Sequence, residues 1–403
     1  MASYRDKTAW IWRNVVDREQ PLASIHVEDN PDSNVDVTWN SEIVASFNWC
    51  VTRSKRYYMS VPGVPLRYKP WSGGQLSHSE TVTHANVDWK INRQYMMESF
   101  LRACKLSAQL TQRNVQFQQY NFCTWRNNLR KLYSLISCTR TKRDGPFRID
   151  VERVGNLIIL CIVEAKYEMV VASDNYGFLF ESVNTEPINK ARPTSIDHCF
   201  QAIQQVSFGS LKMLVGYEVD CADYSSVDGD VQEKLSQNLP RFETPVHFDE
   251  TSRLSYALNA ELCLPNGENG CLDIPVKRIP VLMELATFRR NLGNKLNSKW
   301  SQMFFSGTSK LVLGRHENGN FIENEEMPFE KVEEKIGGRP ENNLRKMAGL
   351  LKNIQNVCLE QPEGTALSLI WHPQICAENE LRVYTRRCDS GPVPANFKHE
   401  LYK

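Results

Sequence analysis

Charge of one sign is what this chain has least of. Across 403 residues, 48 Lys and Arg stand against 47 Asp and Glu, a formal net charge of +1. That balance excludes a protein that gathers nucleic acid or anionic lipid through its overall field, so any polyanion-binding surface has to be a local patch. Long apolar runs are also missing. The longest, Leu157–Val163, is strand-sized, well below the roughly 20 residues that cross a bilayer. Met1–Lys7 lacks the apolar stretch of a signal peptide, so an intracellular protein with no membrane partner is expected. The 12 cysteines include no Cys-x-x-Cys pair. Reduced, mostly buried thiols are therefore expected, rather than a disulfide frame or a zinc site. Internal repeats and a composition shift that would split the chain are absent too. The hydrophobic share of 41% and charged share of 24% belong to an ordinary globule.

Residues 1–90 read as an irregular N-terminal part with short strand-like pieces at Glu42–Phe47 and Tyr57–Val61. Within it Arg53, Lys55, Arg56, Arg67 and Lys69 alternate with Tyr57, Tyr58, Tyr68 and Trp71. The plainer reading packs those rings on the body; the alternative is a single-stranded nucleic acid surface, where rings stack on bases and cations track phosphates. From residue 91 to about 390 the chain reads as the core. Tyr95–Leu110 and Trp125–Ile136 have helical patterns, and Phe147–Val151 and Leu157–Val163 read as strands joined by a turn at Gly155. Tyr176–Glu181 opens a helix, and Phe200–Val206 has helical spacing. Residues 222–250 form a polar excursion, and Ser255–Leu264 and Ile279–Thr287 read as strands. Leu292–Phe305 is a helix with a core stripe of Leu292, Leu296, Trp300, Met303 and Phe304, while Lys295, Lys299 and Gln302 line another side. Lys310–Gly314 is a short strand, Pro340 to Val357 a helix, Ala366–Trp371 and Leu381–Thr385 late strands, and the tail is polar.

One strand carries the chemistry. In Leu214-Val215-Gly216-Tyr217-Glu218-Val219-Asp220-Cys221 the two acids are two residues apart, so they share a face while Val219 points away. Burying two uncompensated carboxylates is costly, and a divalent cation is the usual remedy. Glu181 on a helix and Glu284 on a later strand bring the acids to four from three elements, enough for a magnesium or manganese site acting on a phosphodiester. Pairing with arginine, or exposure to solvent, would account for the same acids without a metal.

In combined order, Trp125-Arg126, Gly177-x-x-x-Glu181, Glu218-Val219-Asp220, Glu284-Leu285 and Lys299-Trp300-x-Gln302 resemble the motif series of the DXO family of decapping exoribonucleases. The match spans about residues 122–320, and Glu218-Val219-Asp220-Cys221-Ala222-Asp223 is its most specific piece; the loop Pro62-Gly63-Val64-Pro65 adds to it. The resemblance implies a single α+β domain over residues 1–403, with two mixed, mostly antiparallel β-sheets flanked by helices. It implies a metal-dependent hydrolase of RNA 5′ ends, capped or 5′-phosphorylated, in the nucleus and/or cytoplasm, with a possible protein partner. Carried over by position, Glu181, Glu218, Asp220, Glu284 and the main-chain oxygen of Leu285 would hold Mg2+ or Mn2+. Glu218 and Gln302 would serve catalysis, with Gln302 orienting water. Arg126 would hold RNA phosphate, which its fork of donors suits, and Lys299 would assist if its side of the helix faces the pocket.

Two positions depart from that pattern. The family's Glu-x-Lys is Glu284-Leu285-Ala286, and alanine cannot contact a scissile phosphate or an attacking water. The family's Gly-x-Arg is Gly314-Arg315-His316, with the arginine moved to the opposite side of a strand. Besides a working or weakened enzyme, the sequence therefore leaves open a relative that binds RNA 5′ ends or proteins without cleaving, and a plain interaction protein with its acids in salt bridges.

Overall fold

The most apolar stretches of the chain, Leu157–Val163 and Leu211–Val219, flank a common neighbour, Phe122–Trp125, at the centre of a ten-stranded sheet. Both faces of that region are covered, so a strand there can be apolar on both sides, and Leu157–Ile162 are all buried. The structure is a computed structural model. It describes residues 8–29, 31–51, 57–61, 63–76, 97–111, 115–137, 145–164, 176–188, 199–227, 229, 280–289, 293–387 and 391–402.

In chain order the strands are β1 (Ala23–His26), β2 (Asn40–Val51), β3 (Tyr57–Ser60), β4 (Arg67–Tyr68), β5 (Gly74–Gln75), β6 (Phe122–Trp125), β7 (Phe147–Val154), β8 (Leu157–Val163), β9 (Thr185–Glu186), β10 (Cys199–Phe208), β11 (Leu211–Val219), β12 (Cys221–Asp223), β13 (Val281–Phe288), β14 (Lys310–Glu317), β15 (Asn320–Pro328), β16 (Leu367–Trp371) and β17 (Glu380–Thr385). The helices are α1 (Glu98–Thr111), α2 (Arg126–Ile136), α3 (Gly177–Asn184), α4 (Gly293–Phe304), α5 (Phe329–Lys335), α6 (Glu341–Glu360) and α7 (Ala395–Leu401). The larger sheet runs β1-β17-β16-β7-β8-β6-β11-β10-β2-β3, and the smaller β5-β15-β14-β13-β12-β4-β9. Antiparallel pairing dominates both. The exceptions are β6, parallel to β8 and β11, and the pairs β13–β14 and β12–β4. This is the expected α+β architecture of two mixed sheets with flanking helices.

The main core lies on one face of the larger sheet. Phe122, Ile149, Leu160 and Val215 from its strands meet Leu129 and Leu132 of α2, Trp300 and Met303 of α4, Leu351 and Ile354 of α6, and Leu311 and Leu313 of the smaller sheet. On the opposite face, Phe100 and Leu101 of α1 and Phe397 of α7 pack on Cys123, Ile159 and Leu214. Alternation along β13 then divides its side chains. Met283 and Leu285 cluster with Phe180 of α3 and Val312, whereas Ala286 belongs to the main core beside α4. No described helix is long and apolar enough to cross a membrane.

Several elements differ from the sequence reading. Phe200–Val206, expected as a helix, lies within strand β10, paired with β11 and β2. Its apolar residues recur at three-residue intervals, which mimics a helix. As a central strand, however, it is covered on both faces and need not alternate. Its polar residues are satisfied in place: Gln204 Nε2 donates to the Phe305 carbonyl at 2.9 Å and Gln205 Nε2 to Glu42 at 2.8 Å. The N-terminal part, read as irregular, supplies β1–β5 to both sheets. The short strand at Lys310 continues to Glu317 and is followed by β15, whose residues are mostly exposed and polar, and then by α5. The polar tail forms α7, which buries Phe397 and Leu401. Ser255–Leu264 and most of 222–250 lie outside the described residues.

Candidate active site

The Glu-Val-Asp stretch is where the chain leaves one sheet for the other. β11 ends at Val219 in the larger sheet, β12 begins at Cys221 in the smaller one, and Asp220 is the hinge residue between them. Asp220 stands outside the ladders of both sheets, between Val219 of one and Cys221 of the other. Asp220 Oδ2 accepts a hydrogen bond from the Leu285 backbone N–H at 2.7 Å, tying the transition to β13. Glu218, expected to share its face, is the more exposed of the two.

β6 runs parallel to β11, with Trp125 opposite Gly216. The approach is close: a Cβ on Gly216 would meet the Phe100 ring at 2.7 Å and the Trp125 ring at 2.8 Å. Glycine is required there for packing. Because β6 ends at Trp125, α2 starts with Arg126 just beyond the carboxyl ends of two parallel strands, a location where open sheets often bind ligands. Arg126 is buried, lies over the Tyr217 ring at 5.7 Å, and donates through Nη1 to Glu284 Oε1.

Glu284 is the most enclosed of the acids, at 0% exposure. Its second oxygen accepts from Gln302 Nε2, and Lys299 Nζ stands 3.9 Å away. Lys299 also donates to the Leu285 carbonyl at 3.4 Å. Lys299 and Gln302 reach the site from a side of α4 flanking its core stripe, of which Leu296, Trp300, Met303 and Phe304 are buried. Leu292 and the side chain of Lys295 lie outside the described residues. Glu181 sits in the second turn of α3, partly buried, beside Phe180, which packs on Leu285 and Val312.

The acids sense one another. Burial, the Glu284 charge and Glu218 push the Asp220 carboxyl up to about 7, against the opposing pull of Lys299 and the Leu285 N–H. Glu181 is raised well above the usual carboxylate range by burial, then by Asp220 and Glu218, with Lys299 relieving it. Expected residues Glu181, Glu218, Asp220, Glu284, Leu285, Arg126, Lys299 and Gln302 thus come from five elements to one locality. They do not form a ready-made ion cage. Among the described residues no three His, Cys, Asp or Glu side chains are grouped to hold a metal ion. Glu284 and the Leu285 carbonyl, both expected ligands, face the cations of the protein itself. The donor chemistry of Glu181, Glu218 and Asp220, mutually repelling oxygen donors, does suit a hard divalent cation.

The two departures acquire a physical form. Ala286 is 6% exposed, filling the core position one step along β13 from Leu285. On β14, Arg315 is exposed and His316 is buried, packed between Tyr176 at 4.9 Å and Phe321 at 5.0 Å. Of the N-terminal aromatic–basic series, Arg67, Tyr68 and Trp71 pack on the body, Lys69 is exposed, and the side chains of Tyr57 and Tyr58 lie outside the described residues. Arg67 lies over Tyr224 at 5.8 Å, Tyr68 donates to Glu326 at 2.9 Å, and Trp71 meets Phe321 edge-on. Arg53, Lys55 and Arg56 lie outside the described residues. Sequence reasoning overlooked Arg130, one turn after Arg126 on α2, which donates to Ser298 of α4 at 3.0 Å. Its signal was helical spacing alone, four residues from Arg126.

A two-sheet α+β body with an acid cluster at the crossing between sheets, faced by Arg126 and Lys299, defines the class of fold. The chain belongs to the protein family described as Domain of unknown function (DUF8563), whose model matches residues 24–402. Curated protein sequences offer no match. Solved structures do. Candida albicans Rai1 in complex with pU5-Mn2+ aligns with a TM-score of 0.60 at 13% identity, covering 94% of this chain and 99% of that one. S. pombe Rai1 in complex with 3'-FADP aligns at 0.58 and 14% identity, covering 91% and 99%. K. lactis Dxo1 in complex with manganese aligns at 0.53 and 10% identity, covering 92% and 99%. The chain therefore has the Rai1/Dxo1 fold over nearly its whole length.

Proposed function

We propose that this protein is a metal-dependent hydrolase of RNA 5′ ends, of the decapping, pyrophosphohydrolase and 5′–3′ exoribonuclease type. The observation that carries the reading is the Asp220 hinge: a raised, repelled carboxylate anchored to the Leu285 N–H, beside a buried Glu284 that Arg126 and Gln302 hold in place. Solved structures of the same fold carry manganese and 5′-phosphorylated or nucleotide ligands in their names, which agrees with this chemistry. A divalent ion, when bound, would neutralise the acids and polarise a phosphate or a water.

The chain's own groups have separable tasks. Glu181, Glu218 and Asp220 would hold the ion, with Glu284 and the Leu285 carbonyl beside it. Arg126 would bind phosphate oxygens with the donors that Glu284 leaves unused. Gln302 spends its amide N–H on Glu284, so its amide oxygen remains to orient a water or a leaving group. Lys299, at 3.4 Å from the Leu285 carbonyl, supplies a fixed positive charge where position 286 has none, and oriented charge is commonly the largest single contribution to catalysis.

A second reading is favoured by Ala286 and by the cations already lodged on Glu284 and Leu285: a protein that binds RNA 5′ ends without turning them over. Incubating the purified protein with 5′-phosphorylated or capped RNA and Mn2+ or Mg2+ separates the two. Metal-dependent release of nucleotides or cap, lost in Asp220→Ala, is expected of the hydrolase. Calorimetric metal binding without product supports the binder, and absence of metal binding refutes the hydrolase.

A further inference from the structure

Arg130 stands one helical turn beyond Arg126, so both side chains leave the same face of α2, Arg126 reaching Glu284 of β13 and Arg130 reaching Ser298 of α4. It is partly buried, and its Nε is buried with no hydrogen-bond partner. Its outer fork reaches Ser298 Oγ at 3.0 Å, one residue before Lys299. Among the described residues it makes no ion pair. Arg126, by contrast, is neutralised by Glu284. Burial and the like charge of Arg126 lower Arg130 to about 10, against a weaker pull from the Glu284 carboxylate, which Arg126 already occupies. A buried guanidinium normally recruits a carboxylate, and leaving its donors unfilled is costly. Holding one against another guanidinium makes sense where an anion completes the pair.

We propose that Arg130 and Arg126 together form a subsite for the 5′-terminal phosphate of RNA, so that Arg130 sets the preference for a 5′-phosphorylated end. This rests on the RNA 5′-end reading above. The terminal group is the better fit than a backbone diester because it carries a charge of about −1.5 to −2 and three free oxygens, against a single charge on the diester. Two forks approaching from successive turns can share those oxygens, and Arg126 needs only the donors that Glu284 does not use. Lys299, from α4, closes the third side.

The test compares pentauridylate bearing a 5′-phosphate with the same oligonucleotide bearing a 5′-hydroxyl, by fluorescence anisotropy of a 3′ label, in Mn2+ and in EDTA. The wild type is expected to favour the phosphorylated strand by about tenfold or more, the worth of charge-assisted hydrogen bonds to one group. Arg130→Met should shrink that preference to about threefold or less and leave 5′-hydroxyl binding within about twofold, since the methionine stem keeps the packing. Arg130→Lys, which restores the charge without the fork, should fall between them. A wild-type preference left intact in Arg130→Met overturns the inference, and so does a wild type that binds both strands equally; in either case metal-dependent hydrolysis lost in Asp220→Ala still upholds the hydrolase. A wild type that binds neither strand in either condition overturns both.

Discussion

Replacing Asp220 by asparagine should make the metal-free protein more stable, not less. The folded-state carboxyl is pushed up to about 7 from an ordinary 3.8. Each unit corresponds to about 1.4 kcal/mol, so ionising Asp220 above neutral pH disfavours the fold by at most about 4 kcal/mol. The repulsion is shared with Glu181, Glu218 and Glu284, and those neighbours relax once Asp220 is neutral; a gain of about 1–3 kcal/mol is therefore expected. Asparagine costs little in return, because its Oδ1 can accept the Leu285 N–H that Asp220 Oδ2 accepts at 2.7 Å. The sign follows from a folded pKa raised above the unfolded one. The penalty is absent below about pH 4, grows through the window from about 4 to 7, and is complete above it. Urea titrations in EDTA should show Asp220→Asn ahead of wild type at pH 8 and level with it near pH 4. Mn2+ at about a thousand times its dissociation constant should reverse the order, since it adds about 4 kcal/mol to the form that binds it. A variant less stable than wild type at pH 8 without metal, or a gap that does not change with pH, would refute the idea that the ionised Asp220 carboxylate strains the metal-free fold.

Two further substitutions probe the walls of the site. A Cβ at Gly314 would run into the Phe180 ring and meet Phe321 at 2.8 Å. Gly314→Ala should cost about 1–3 kcal/mol in urea titration and, because Phe180 precedes Glu181, weaken Mn2+ binding measured by calorimetry; unchanged metal affinity would uncouple α3 packing from the site. Ala286→Lys puts an ammonium and its stem into a filled core position beside Trp300 and Leu313, so a loss of about 1–3 kcal/mol is expected from overpacking alone. A variant as stable as wild type would show that the position has room for the lysine.

Much of this was legible because the decisive residues sit where periodicity is strong. The Glu218/Asp220 pair was read from the two-residue spacing of acids at the end of an apolar strand, and the Lys299/Gln302 side of α4 from helical spacing beside a clear core stripe. β10 misled because a strand buried on both sides shows no alternation, and its glutamines and alanine carry no β signal. β15 was invisible for the opposite reason: an exposed strand with little apolar face presents almost no pattern. The pairing of two sheets at Asp220 could not be read at all. It depends on long-range register between β12 and β13, with Cys221 opposite Met283, and only tertiary contact sets that.

The same limit explains why Ala286 looked like a simple loss. Read along β13, the missing side chain removes a cation from the site. In three dimensions the site's cations come from helices, Lys299 from α4 and Arg126 with Arg130 from α2, while position 286 belongs to the core that seats α4. A lysine at 286 would have to displace the packing that places Lys299 3.9 Å from Glu284. The two arrangements are therefore alternatives, not additions. A small residue at 286 lets α4 lie close enough for its own lysine to reach the acids. On the proposed hydrolase reading, Lys299 must give up the Leu285 carbonyl, 3.4 Å away, when a divalent ion binds, because an ammonium and a metal would otherwise compete for one oxygen.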